Sequence, residues 1–507
     1  MIMKKLKKLL FVLLFGLASI AFSSTDVFAR VDIVMDRSYI YCKFGLPVDI
    51  PCVFTFHAGI DLICADGIRA SNPQDMHVHN PRNEIYVLDS GNNRVMVFDF
   101  SFSFVRTIDY FLIDGMAGSL NRPEGIFITA EDVMYIADTE NNRILVGDLY
   151  GNIYQVFGLP PGLVGYSSDL FLPTKLVVDD GGRIYVIARH INRGILRLAP
   201  EGYFTGFIGA PRVRLSLFDR FWRSISTREQ RARMRQLVPT EYSNLAICEL
   251  NFIFGTIATL EASDVRAAVI NRDMSGTTTP IKKLNSLGDD VLKRFGVHAP
   301  LGDLFFRDQP SRIIDVALGN NGMYSLLDAN NGKVFTYTEE GILLSIFGNI
   351  GNRAGNFQVP SAIAYIGDSI VVLDLRLSQL LVFEPTFYGT VLLGAVAADV
   401  AGDRELSIEK WTEVSRLNGR FEHAFNVLGH IAFDNGDYAT AMEYFLFSLD
   451  FANYSRAKER IRDDIMSRYF PVIFVSSALL LAALVLHKNI KRFVRYYKGD
   501  VLYEAEA

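Results

Sequence analysis

From Tyr86 to Phe98 the chain reads YVLDSGNNRVMVF: apolar residues on a period of two, a polar turn, then a second alternation opened by Arg94. The same shape returns from Tyr135 to Gly147 as YIADTENNRILVG. Each stretch predicts a β-hairpin, since period-two alternation marks a strand and an Asp/Asn/Gly cluster marks a tight turn. Asp89 and Asp138 suit the turn because a carboxylate accepts bonds from backbone amides just ahead of it. Asn93 and Asn142 tolerate the left-handed conformation that such a turn requires.

A proline opens a further apolar run ahead of each hairpin, at Pro73 and Pro123, and this proline returns at Pro173, Pro239, Pro310 and Pro360. The intervals of 50, 50, 66, 71 and 50 residues define six units, the longer two containing insertions. Asp328 and Asp374 stand at the turns of units five and six. Units of this length cannot bury both faces alone, and stacked radially they form the blades of a propeller. Residues 53–64, VFTFHAGIDLIC, read as one more strand, expected to close the ring by pairing with the last unit near Leu392.

The pattern of proline, apolar strand, Gly, Tyr-Val-x-Asp and Asn-Arg-Ile/Val resembles NHL repeats, most clearly at 73–109 and 123–157 and less so at 173–208, 310–347 and 360–395. The resemblance implies a mainly β chain with a six-bladed NHL-type β-propeller over 73–396, preceded by an N-terminal segment 30–72 that holds the closing strand. Unit four departs most, resting on Asn244–Ile247 and Phe252–Phe254. Repeated turns are read as the builders of the blades, Asp89, Asp138, Asp328 and Asp374 holding amides, Arg94 and Arg143 packing between neighbours. The motif is specific for fold and poor for function.

An insertion at 212–237 between units three and four carries arginines interleaved with aromatics and suits one or two amphipathic helices. Arg228, Arg231, Arg235 and Trp222 form the candidate binding surface there; the structural alternative is a helical plug covering the propeller. From about Ala397 the period changes to that of helices. Gly436-Asp-Tyr-Ala-Thr-Ala441 resembles the middle of a tetratricopeptide repeat, with Gly429 and Ala432 as its small residues. Gly402-Asp403 and Trp411 stand one period of 34 residues before Gly436-Asp437 and Phe445, although that first copy lacks a clear opening helix. A short all-α tetratricopeptide-like module over 397–466 is therefore expected.

Two segments set the compartment. Residues 1–29 have lysines at 4, 5, 7 and 8, an apolar run and a Val-Phe-Ala site, which reads as a secretory signal peptide, an uncleaved anchor being the alternative. Tyr469–Leu486 is a run of 18 uncharged residues, read as a transmembrane helix and followed over 487–507 by a basic tail. The positive-inside rule puts that tail in the cytoplasm of a bacterial cell and the propeller outside. A formal charge of −5 on 507 residues gives no sign of a nucleic-acid partner. Cys42, Cys52, Cys64 and Cys248 match no dense disulfide pattern; a Cys42–Cys52 bridge is the alternative to idle thiols.

Catalytic chemistry is sought at the axis, where a propeller lyase or lactonase would gather metal ligands. His77 and His79 lie on the first strand of unit one, but counting from each proline places Phe127, Val177, Ile314 and Ala364 at the His77 position. No histidine ring, nucleophile elbow or phosphate loop is found, and no cofactor is expected. The sequence thus points to a membrane-anchored, extracytoplasmic binding or scaffold protein with a membrane or envelope protein partner, possession of an activity being left open. The alternative is a propeller hydrolase or lyase acting on a small ester, lactone or sugar.

Overall fold

The computed structural model describes residues 38–113, 115–209, 241–258, 279–294 and 311–504, together with 260, 263, 266, 267 and 270. It separates into two compact units that meet between Asp403 and Arg404 in the chain. The signal-peptide reading and the stretch 212–237, with Trp222, Arg228, Arg231 and Arg235, lie outside the described residues.

The first unit is a six-bladed β-propeller followed by one helix. Its innermost strands are Pro73–His79, Gly125–Ile128, Leu172–Val178, Asn244–Ile247, Ile313–Leu318 and Pro360–Ile366, each touching the next around a closed ring. Blades one and three are four-stranded antiparallel meanders, ending in Phe104–Ile108 and Phe204–Ile208. Blade four has three strands among the described residues. Blade two gains a hairpin, Phe111–Ile113 with Met116–Gly118, laid parallel on its outer strand Asn152–Phe157. Blade five gains Ser38–Tyr41 and Pro47–Ile50 on its outer strand Leu343–Phe347.

Strand alternation here sorts side chains between neighbouring blades rather than between core and water. In Glu84–Asp89, Ile85 and Val87 pack with Val371, Leu373 and Leu380 of blade six, while Tyr86 and Leu88 pack with Ile126, Ile136 and Leu145 of blade two. Each fully buried aliphatic side chain contributes roughly 1.5–3 kcal/mol. A blade alone would expose both sets, so the sheets are stable only as a ring.

Ring closure follows the expected route with one correction. Phe54–Asp61 pairs antiparallel with Gln379–Pro385 and supplies the fourth strand of blade six, far from its sequence neighbours. The partner is not near Leu392: that residue is buried on helix α1, Phe387–Ala401, so the last ten residues assigned to the propeller are helical. Thr386 caps α1, its Oγ1 accepting the Gly389 amide at 3.0 Å and donating to the Cys52 carbonyl.

The second unit is all helix: α2 Arg404–Leu417, α3 Glu422–Asp434, α4 Tyr438–Phe447 and α5 Phe451–Glu504. Gly402-Asp403 has a helix on either side, and α1, on the N-terminal side, is too uniformly apolar to display a helical stripe in the sequence. A Cβ at Gly429 would lie 2.8 Å from the Phe445 ring, so glycine is what lets α3 and α4 approach. Trp411 is buried and stacks on Phe421 with centroids 6.2 Å apart. Helix α5 runs unbroken through the apolar stretch, including Pro471, and that stretch is long and apolar enough to cross a membrane, with none of it buried.

Candidate functional site

The turns come first, because they look like a site in the sequence. Asp89 is fully buried and accepts from the Ser71 amide at 2.7 Å, Asn92 Nδ2 at 2.8 Å and Arg94 Nε at 2.7 Å. Asp138 repeats this with the Asn121 amide, Asn141 and Arg143. Asp328 and Asp374 accept backbone amides on both sides of their turns, from Arg312 and Asn330 and from Val359 and Arg376. Each carboxylate thus ties its turn to the segment leading into the same blade.

The arginines do likewise. Arg94 and Arg143 donate to the carbonyls of Ile68 and Ser119 in those leading segments. The link to the next blade is made by Asn93 and Asn142, both left-handed at φ 56°. Asn93 Oδ1 accepts the Arg122 amide, and Asn142 Nδ2 donates to Asp169 and Phe171. Thr139 and Ser361 hydroxyls bond the carbonyls of Pro173 and Pro73, the prolines that open the following blades. Proline needs no partner for an N–H at a strand start; its carbonyl is the blade-to-blade contact.

Where the blades converge, each full inner strand carries a bulge at its start. It falls after Pro73, Pro173, Ile313 and Pro360. A bulge re-aims a side chain, and the bulged residues Gln74, Thr174, Ile314 and Ser361 all line a cavity of about 430 Å³ at this mouth of the channel. Glu124 and Ser243 complete the ring from blades two and four. The rim also carries Arg189, Glu241 and Arg312. Arg189 pairs with Glu124 and stands 3.7 Å from Glu140. Arg312 is exposed, and among the described residues its guanidinium has no partner.

One residue further along lies a second ring: Asp75, Gly125, Lys175, Asn244, Asp315 and Ala362. Lys175 reaches past blade two to Asp75 at 2.7 Å, close enough for an ion pair though off hydrogen-bond geometry. The other Asp75 oxygen accepts the Ile126 amide at 3.0 Å. Asp315 accepts from Asn244 Nδ2 and from the amides of Val316 and Ile363, both at 2.7 Å. Burial pushes the Asp315 carboxyl up to about 7; Lys175 opposes this, Asp75 adds to it, and the Ile363 and Val316 amides oppose it. Of this ring, Lys175 and Asn244 line the cavity.

The histidines lie at the other end of the inner strand. His79 is buried with Nε2 2.7 Å from Asp132, and Arg82 pairs with the same carboxylate at 2.6 Å. Arg82 first and His79 second hold Asp132 down at about 2. His77 packs against Phe127 with centroids 5.1 Å apart, and burial, aided by His79, pushes it down to about 3. Counting from strand pairing corrects one register: Ile313, not Pro310, faces the turn aspartate of blade five, so the His77 position there is Ala317 rather than Ile314. Asp179 accepts from Gly181, Arg183 and Tyr185, and Asp180 bonds Asn251 of blade four, so both are structural. Among the described residues no group of three or more His, Cys, Asp or Glu could hold a metal ion, and Cys64 and Cys248 carry free thiols.

Fold and site define a six-bladed β-propeller protein with a polar axial mouth and a helical C-terminal region. No family model matches the chain, and no curated protein matches it. Among solved structures it is similar to virginiamycin B lyase from Staphylococcus aureus, at 10% identity and TM-score 0.40 over 65% of this chain and 99% of that one. It is also similar to a gluconolactonase from Xanthomonas campestris, at 11% identity and TM-score 0.38 over 66% and 99%. At such identities the likeness concerns the fold alone.

Proposed function

We propose that this chain is a membrane-anchored binding protein whose propeller mouth engages a small polar ligand or a projecting group of a partner protein. The observation that carries this is the mouth itself, one residue from each of six blades around a cavity of about 430 Å³. Its chemistry is hydrogen bonding and charge: Gln74, Thr174, Ser243 and Ser361 with the cation of Arg312, which favours an occupant bearing an acidic group. Tyr469–Leu486 of α5 is the anchor in this reading, with the propeller outside a bacterial cell membrane and residues 487–507 in the cytoplasm. The arginine-rich stretch before Glu241 belongs to the same proposal: Arg228, Arg231, Arg235 and Trp222 meet a membrane or envelope protein.

Ligand-detected NMR on the detergent-purified chain tests the mouth, with a panel of acidic and neutral monosaccharides and amino acids. Saturation transfer to acidic members is expected, with loss in Arg312→Glu. Equal signals from chain and variant, or none from any acidic compound, sink the reading of the mouth. Arg228, Arg231 and Arg235 changed together to Glu should weaken co-purification of the membrane partner.

A further inference from the structure

Helix α5 does not stop at the end of its apolar run but continues to Glu504. Lys488, Lys491, Arg492, Arg495 and Lys498 follow Leu486. At about 100° per residue these five fall within an arc of roughly 120° on one helix face. Ile490, Phe493, Val494, Tyr496 and Tyr497 occupy the opposite arc, and the three rings are 65–71% exposed.

The two ends of the apolar run treat their charges differently. Before it, Arg462 pairs with Glu459 at 3.0 Å and Asp463 at 3.1 Å, and Arg468 pairs with Asp464 at 3.3 Å. After it, residues 487–498 contain five cations and no carboxylate. Cations and carboxylates are interleaved on one side of the run, and the other side carries a uniform positive strip over 488–498.

Helical rise sets where that strip falls. Eighteen residues span about 27 Å, slightly less than a hydrocarbon core of about 30 Å, so Lys488 stands at the core boundary and can extend its ammonium outward. Residues 491–498 then lie about 8–18 Å past Leu486, through the headgroup layer and just beyond it. The rings on the opposite arc sit at the depth where interfacial aromatics collect.

We propose that Lys488, Lys491, Arg492, Arg495 and Lys498 form a strip that binds the phosphates of acidic phospholipids in the leaflet that α5 enters, with Phe493, Tyr496 and Tyr497 holding the opposite face in the interface. The proposal rests on the reading of α5 as a membrane span. Each cation near an anionic surface contributes roughly fivefold in binding constant, so loss of three should reduce acidic-lipid preference by on the order of a hundredfold, less in high salt.

The test uses the full chain, exchanged into nanodiscs containing phosphatidylglycerol and phosphatidylcholine, with retained lipids counted by native mass spectrometry. Phosphatidylglycerol should be retained at least about tenfold over phosphatidylcholine, and the R492Q/R495Q/K498Q variant, which keeps the two lysines nearest the span, should lose that preference. Equal retention of the two lipids by the unmodified chain overturns the strip, as does an unchanged preference in the variant. Loss of a stoichiometric acidic protein from the variant with no lipid preference in either chain also overturns it. Carbonate extraction of membranes tests the span separately: release of the unmodified chain overturns the anchor itself, whereas a resistant chain without lipid preference overturns only the strip. Carbonate resistance of the variant shows that it is inserted.

Discussion

Replacing Asp315 with asparagine isolates the buried charge at the propeller axis. The carboxyl is pushed from 3.8 to about 7, burial being the largest cause. Between those values the folded chain holds a proton that the unfolded chain has lost. This contribution is therefore present in full below the unfolded pKa and is lost as pH rises toward 7. Each unit of separation corresponds to about 1.4 kcal/mol, so about 3 kcal/mol should disappear between about pH 5 and pH 8. Asparagine cannot ionise, and its Nδ2 puts a donor where a carboxylate oxygen accepted from the N–H donors of Asn244 and Val316 or of Ile363. That mismatch costs stability at every pH and leaves the slope untouched. The quantity to measure is the unfolding free energy of the unmodified propeller minus that of Asp315→Asn, from urea titrations followed by far-ultraviolet circular dichroism at several pH values. Taking the difference cancels every other titrating group. It should fall by about 3 kcal/mol across the range. A flat difference, or one that rises with pH, would show that Lys175 and the three donors keep Asp315 ionised, refuting the dominance of burial.

Other consequences follow from the same contacts. Asp89→Ala strips a fully buried carboxylate from Arg94 and the Ser71 amide, so urea unfolding should show a loss of about 3–5 kcal/mol, because a buried cation is left unpaired. Gly429→Ala places a methyl 2.8 Å from the Phe445 ring, and overpacking should cost about 1–3 kcal/mol, read by the fluorescence of buried Trp411. Cys64 is a buried free thiol, so a thiol reagent should reach it only on unfolding; labelling of Cys64 in the folded chain would refute its burial. Protease added to intact cells should remove the propeller; survival of the propeller with loss of the basic tail would reverse the proposed topology.

Much of the architecture is legible in the linear chain because it rests on local chemistry. Hairpins with Asp at the turn, an Asn that accepts φ 56° and a proline at a strand start are all short-range requirements, and repetition makes them visible. The apolar stretch of α5 is visible for the same reason. What escaped has a different physical origin. The sequence points residues 53–64 toward Leu392 because a strand edge and an apolar helix look alike over a few residues. Helix α1 carried no stripe because most of its sides are buried.

The axial mouth was not legible at all. Its two rings, Gln74 to Ser361 and Asp75 to Ala362, each hold five different residue types at six equivalent positions, so repetition conceals them. The proline count also slips in blade five, where Ile313 takes the place opposite the turn. Sequence by itself determined the blades, their number and the apolar span, since these follow from periodicity and backbone preference. Only the tertiary structure decided which residues meet at the axis, because a bulge and a closing strand turn distant side chains toward one point. It also showed that the turn residues resembling a site are spent on holding each blade to the segment before it.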